Sequence, residues 1–211
     1  MMDSVQLWLA TPDAAQHFDP AQLTDEERDR MAHLRREARR EEFAVSRALR
    51  AHARRVAPSP IGESMSHSGG YAALAQAPLL RLGVDMELHR GRRSLEAAST
   101  VFTKSEMGAL EAAPGPEREH LFYAIWTVKE ALAKVLQLPL MEALVACEVL
   151  VDGPQWQVRA PTTDAGGVFL YQPRADLTLA MAWIGAKLPI ETWNWPPQRP
   201  ASWPLIAAIS L

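Results

Sequence analysis

One cysteine, Cys147, stands in the 211-residue chain, so neither an internal disulfide nor a cysteine-built zinc cluster is available to it. No apolar run approaches the roughly 20 residues that span a bilayer. The opening residues, MMDSVQLWLATPD, carry an early acid where a secretory leader would be basic and then apolar. A basic excess is also missing. With 22 Lys and Arg against 25 Asp and Glu, the formal net charge is -3, which argues against a dedicated nucleic-acid binder. No strong internal repeat is visible. What remains, 48% hydrophobic and 22% charged, is a soluble globular composition for one large domain or two small ones, with the cytoplasm as the expected location.

Gln6 to Ala10 reads as an opening strand. Thr24 then begins TDEE, in which Thr24 and Glu27 have the spacing of a capping box. From there to about Val56 no Pro or Gly interrupts a helical pattern rich in Glu and Arg. Its run LRREARREE is most simply a solvated face, with phosphate binding by one or two arginines as the alternative. APSPIGES is turn chemistry, SMSHSGGYAALA a strand, a turn and a strand, and RLGVDMEL a further strand. Residues 94–101 and the stretch FTKSEMGALEAA read as helices, and APGP as a loop. Pro116 suits the first position of a long helix running to about Gln137.

LVACEVLV and WQVR flank the Asp152-Gly153 turn of a hairpin, and VFLYQ and LTLAMAWIG supply two more strands. Helices followed by strands, in two rounds, predict an α+β protein of two similar halves, residues 1–80 and 81–190. The Trp- and Pro-rich residues 191–211 are expected as an extended tail packed on the body, because exposed tryptophans would form a sticky patch.

Within GVDMEL, Val84, Met86 and Leu88 alternate with Asp85 and Glu87, so a strand would put both carboxylates on one face. That is either a solvated strand face or the acidic floor of a metal site. In WTVKEALAK, Leu121, Ile125, Val128, Leu132, Val135 and Leu136 form the core stripe of a helix. Trp126, Glu130 and Lys134 form a second stripe, either a surface ion pair or the wall of a pocket for an anion held through a metal. Thr103 and Glu106 have capping-box spacing, which gives Glu106 a structural task beside a catalytic one. Ser66-His67-Ser68 before two glycines is a tight turn that also offers hydroxyl, imidazole and backbone N–H groups to an anion. A serine-hydrolase reading is weak, because no nucleophile-elbow pattern is present.

SHS with its glycine turn, GVDME, FTKSE and WTVKEALAK, in that order, closely resemble the 4′-phosphopantetheinyl transferases of the two-half, Sfp-like (surfactin-synthetase-activating) branch. The likeness is specific from about Ser66 to Lys134 and loose elsewhere. The resemblance implies a pseudo-dimer of two α+β halves with the active site in the cleft between them, acting as a monomer. It implies transfer of the phosphopantetheine arm of coenzyme A to a serine of an apo acyl or peptidyl carrier protein, with Mg²⁺, releasing adenosine 3′,5′-bisphosphate. Asp85, Glu87 and Glu130 would be the metal carboxylates, and Lys134 would contact the phosphates near the bond that breaks. Glu130 or Glu106 would take the serine proton, and Ser66 and His67 would hold the 3′-phosphate of the coenzyme. Arg40 and Arg47 are the choices among the N-terminal arginines for further coenzyme contacts. The rival readings are a non-catalytic coenzyme- or carrier-binding protein of the same fold and an unrelated metal-dependent phosphohydrolase. Neither nucleic acid nor membrane is an expected partner.

Overall fold

A computed structural model describes residues 4–57, 62–78, 81–90 and 100–211. The helix expected over residues 94–101 lies outside the described residues for all but its last two positions. The protein is a mixed α+β chain that separates into two compact units, residues 1–79 with 188–202 and residues 80–187 with 203–211.

The first unit opens with β1 (Val5–Ala10), buried along its whole length. Helix α1 (Asp25–Ala32) follows, with Thr24 and Glu27 exchanging both bonds of the expected capping box. The single helix expected from Thr24 to Val56 is in fact two, because α2 starts anew at Glu37–Val56. The reason lies in the side chains. No residue of α1 is buried, whereas α2 buries Phe43, Val45, Ala48, Leu49 and Ala53, so only its later turns have an apolar face to hold them on the sheet. Strands β2 (Gly62–Ser68) and β3 (Tyr71–Ala77) form a hairpin. Its turn needs positive φ at both Gly69 (62°) and Gly70 (85°), a conformation that a side chain resists.

The second unit begins with β4 (Arg81–Leu88), followed by α3 (Lys104–Ala112) and the long α4 (Gly115–Leu136). After α5 (Leu140–Ala146) come the hairpin β5 (Glu148–Asp152) and β6 (Gln155–Arg159), then β7 (Gly166–Arg174) and β8 (Leu177–Ile184). The segment expected as a tail is instead shared out as strands. Residues of β9 (Ile190–Trp195) and β10 (Arg199–Pro200) join the first unit's sheet, and β11 (Leu205–Ser210) joins the second's. Trp195 is thereby buried with Trp8, Leu49 and Leu74.

The first unit's five strands run β10-β9-β1-β3-β2, with β9 parallel to β1 and the other pairs antiparallel. The second unit's four strands run β11-β7-β8-β4, antiparallel throughout. There α4 packs Ile125, Val128, Leu132 and Val135 onto Val168, Leu170, Ala180 and Ala182 of the sheet. It crosses β4 at Gly83, where the backbones touch. A Cβ on Gly83 would lie 2.0 Å from the carbonyl oxygen of Ala131 and 2.7 Å from the amide nitrogen of Val135. Only glycine permits that approach.

Candidate functional site

The crossing at Gly83 decides what the next residues of β4 meet. With side chains alternating along the strand, Asp85 and Glu87 point to the same side as Gly83, the side on which α4 lies. Of the two readings of this face, the solvated one does not hold at Asp85, which the helix covers to 2% exposure, while Glu87 stays partly exposed. Val84 and Met86 are buried on the opposite side. On α4 from Phe122 to Val135, the stripe of Trp126, Glu130 and Lys134 stays partly exposed while the remaining residues are buried. The helix is covered on more sides than one apolar stripe predicts, since α3, α5 and β5 pack on it beside the sheet.

Lys134 Nζ donates to Asp85 Oδ1 at 2.8 Å and to the carbonyl oxygen of Val84 at 2.7 Å. Glu130, one turn before it, is pushed up to about 8, first by burial and then by the Asp85 carboxyl, with Glu87 adding to the effect and Lys134 opposing it. Three carboxylates and one ammonium thus share a half-buried neighbourhood that is short of positive charge. Among the described residues, no three His, Cys, Asp or Glu side chains are gathered closely enough to grip a metal as they stand. The donors nonetheless fit a hard divalent cation: all are carboxylate oxygens, and their mutual repulsion is what such a charge relieves. Trp126 packs with Phe122, ring centroids 6.0 Å apart, and with Phe102, so its place on the stripe is shared with an aromatic cluster.

Glu106 sits in a different environment. It completes the capping box with Thr103 at the start of α3, and it is fully buried beside an equally buried Lys129. Lys129 Nζ donates to both of its oxygens, at 2.9 and 2.6 Å, and the amides of Val149 and Thr103 donate at 2.7 Å each. The sequence pointed to the cap. It did not point to Lys129, whose place in the dipeptide before Glu130 was the available signal, since a helix turns the two about 100° apart.

In the first unit, Ser66 is buried on β2 and His67 half-exposed. Glu42 of α2, which sequence reasoning missed, reaches the turn beside them. It accepts from the Gly69 amide at 3.1 Å and from Arg39 at 3.0 Å, and lies 3.6 Å from His67 Nδ1. Burial lowers the His67 pKa, Arg39, Arg30 and Arg47 push it the same way, and Glu42 opposes them. That electropositive surround suits an anion.

Arg47 belongs to this group, with its Nε 2.6 Å from Glu27 and its guanidinium over the Phe43 ring at 4.5 Å. Arg40 is exposed and its side chain donates to the Leu34 carbonyl, so its described contacts are local. A cavity of about 590 Å³ opens between the residues before α1 and the middle of α2, lined among others by Phe18, Glu27, Arg30, Arg47, Arg50 and Arg54.

Residues 81–175, within the second unit, match the sequence model of ACPS, the 4′-phosphopantetheinyl transferase superfamily. The match takes in Asp85, Glu87, Glu106, Lys129, Glu130 and Lys134, and leaves out Ser66, His67, Arg40 and Arg47. Among individual proteins, the chain is 30% identical over 112 residues to the 4′-phosphopantetheinyl transferase AcpT of two Escherichia coli strains, covering 46% of this chain and 57% of AcpT. It is also 33% identical over 72 residues to a Synechocystis sp. protein named in the same transferase class, covering 34% of this chain and 29% of that protein. The chain thus spans little more than half of AcpT and less than a third of the Synechocystis protein. No helix among the described residues is long and apolar enough to cross a membrane.

Proposed function

We propose that this chain is a 4′-phosphopantetheinyl transferase of the Sfp-like kind, moving the phosphopantetheine arm of coenzyme A onto a serine of an apo acyl or peptidyl carrier protein. The observation that carries the reading is the grouping of Asp85, Glu130 and Lys134 where α4 crosses β4. The match of residues 81–175 to the transferase superfamily supports it. Each unit also lays one long helix on its own sheet, which supports reading them as two similar halves.

Asp85, Glu87 and Glu130 are the residues that would hold Mg²⁺. Neutralising the pyrophosphate oxygens and polarising the phosphoryl group is the chemistry that the bound ion supplies. The chain's own groups do the rest. Lys134, held by Val84 and Asp85, offers a fixed ammonium to the phosphate oxygens and to the negative charge of the leaving bisphosphate. The carrier serine oxygen forms its bond to phosphorus as the bond to the adenosine bisphosphate breaks, and the serine proton passes to a carboxylate. Of the two glutamates, Glu130 is assigned that proton, because Glu106 is buried and already accepts four hydrogen bonds. Ser66, His67 and Arg47, with Arg30 and Arg39 nearby, supply the anion-binding surface for the coenzyme's 3′-phosphate.

The experiment is to incubate the protein with a fluorescent coenzyme A, Mg²⁺ and a panel of apo acyl and peptidyl carrier proteins. Covalent labelling of a carrier is expected. Labelling of none of them would sink the transferase reading.

A further inference from the structure

Resting on that reading, we propose that Glu106 and Lys129 are positioning residues whose ion pair fixes the rotation of α4, and so the place of Glu130 and Lys134 over β4. Lys129 and Glu106 are both 0% exposed. The one carboxylate ties three elements together: the first turn of α3 through the Thr103 amide, the first residues of β5 through the Val149 amide, and α4 through Lys129. The centre of the Phe102 ring lies 5.2 Å from the Lys129 ammonium.

Stability alone does not account for such a pair. Replacing a buried ion pair by apolar groups of similar volume is often neutral or stabilising, whereas fixing a register is the best-attested use of one. A register is what this helix needs. On the sheet side, α4 is pinned at Gly83 by backbone contact, which sets its distance from β4. On the other side, the pair adds a polar contact of fixed geometry to the packing of α3, α5 and β5 against the helix. Lys129 precedes Glu130 directly, so any turn of the helix that moved Glu130 off Asp85 would pull Lys129 Nζ from two oxygens at 2.9 and 2.6 Å. The pair acts on the site through the helix and does not touch the substrate.

The test compares wild-type protein with K129M, K129M/E106Q and E106D. It reads Mn²⁺ affinity by electron paramagnetic resonance, kcat and KM separately, and melting temperature. K129M leaves a carboxylate without its counter-ion, and the second change neutralises it, so the double variant is expected to regain melting temperature. Mn²⁺ affinity and kcat are expected to stay down about tenfold to a hundredfold, the range seen when the partners of metal ligands are removed. KM for coenzyme A is expected to hold. Recovery of Mn²⁺ affinity and kcat together with melting temperature would show a merely structural pair and overturn the inference.

Should both Lys129 variants fail to fold, E106D decides, since it keeps the charge and draws the carboxylate back by one methylene. Weakened Mn²⁺ binding in folded E106D supports the positioning role, and wild-type affinity overturns it. The two proposals fail separately. Wild-type protein that binds Mn²⁺ but labels no carrier defeats the transferase reading, while variants that match an active wild type defeat only this one.

Discussion

Replacing Gly83 by alanine should damage fold and site together, by an amount that the crossing allows to be worked out. The new methyl would stand 2.0 Å from the Ala131 carbonyl oxygen, where ordinary contact begins at 3.4 Å, so α4 and β4 must part by up to 1.4 Å. Backbone cannot swing aside as a side chain does. Overpacking of this kind costs about 1–3 kcal/mol. Lys134 Nζ reaches Val84 O and Asp85 Oδ1 at 2.7 and 2.8 Å, and the full displacement takes both beyond hydrogen-bonding range. Losing bonds to a charged group adds about 1.5–3 kcal/mol.

The total of roughly 2.5–6 kcal/mol is a large part of a usual folding free energy. At about 2–4 °C per kcal/mol for a chain of this size, the melting temperature should fall by roughly 5–24 °C. Differential scanning calorimetry measures it, and carrier labelling well below the transition reports on the site. The control is Gly108→Ala in α3, where an added Cβ meets nothing within 4 Å and should stabilise the helix by up to about 1 kcal/mol. A G83A variant that melts with the wild type and labels carrier at full rate would refute the reasoning from backbone contact.

Three further outcomes are expected. Glu130 is raised to about 8 from an ordinary 4.5, so the folded chain binds a proton that the unfolded chain lacks, and stability falls as pH rises from about 4.5 through about 8. Denaturant melts across that range should show the decline in wild-type protein without divalent cation and lose that contribution in E130Q; equal slopes would count against the shift. Glu42→Gln removes the one carboxylate that supports the His67 proton, so an NMR titration should place His67 lower still, and an unchanged value would remove Glu42 from the turn's electrostatics. Asp85→Asn keeps the size of a buried side chain but halves the acidic floor beneath Lys134, and should abolish labelling with circular dichroism unchanged. Near-normal transfer in that variant would reject the carboxylate assignment.

Local patterns carried the features that local chemistry determines. The capping boxes of Thr24 with Glu27 and Thr103 with Glu106 are both formed, as their spacing requires. The alternation of GVDMEL gave the strand and the shared face of Asp85 and Glu87, yet not what covers that face. A small glycine two residues before Asp85 was the available sign that another backbone comes close.

What stayed hidden depends on pairings across long separations. Glu106 meets Lys129 from 23 residues away, and no period in either helix announces it. The break between α1 and α2 has no proline or glycine, because it follows from where the apolar face of α2 begins. ETWNW reads as an extended tail by composition, and only its pairing with β1 makes it a strand inside a sheet. Near His67, Arg30 and Arg39 were hard to single out because the solvated face of one arginine-rich stretch offered seven candidates between positions 28 and 47.

The parallel pairing of β1 with β9 also sets an order of events during synthesis. Val5 pairs with Ile190, 185 positions later in the chain. At about 5–20 residues per second, one edge of β1 stays unpaired for roughly 10–40 seconds while residues 80–187 of the second unit emerge. That unit in turn lacks β11 until residues 205–210 are made. Neither sheet is complete before the last two dozen residues, so the ribosome does not deliver a finished first unit followed by a second. A chain halted at Lys187 would leave both sheets short, with the edges of β1 and β7 open to pairing with another nascent chain.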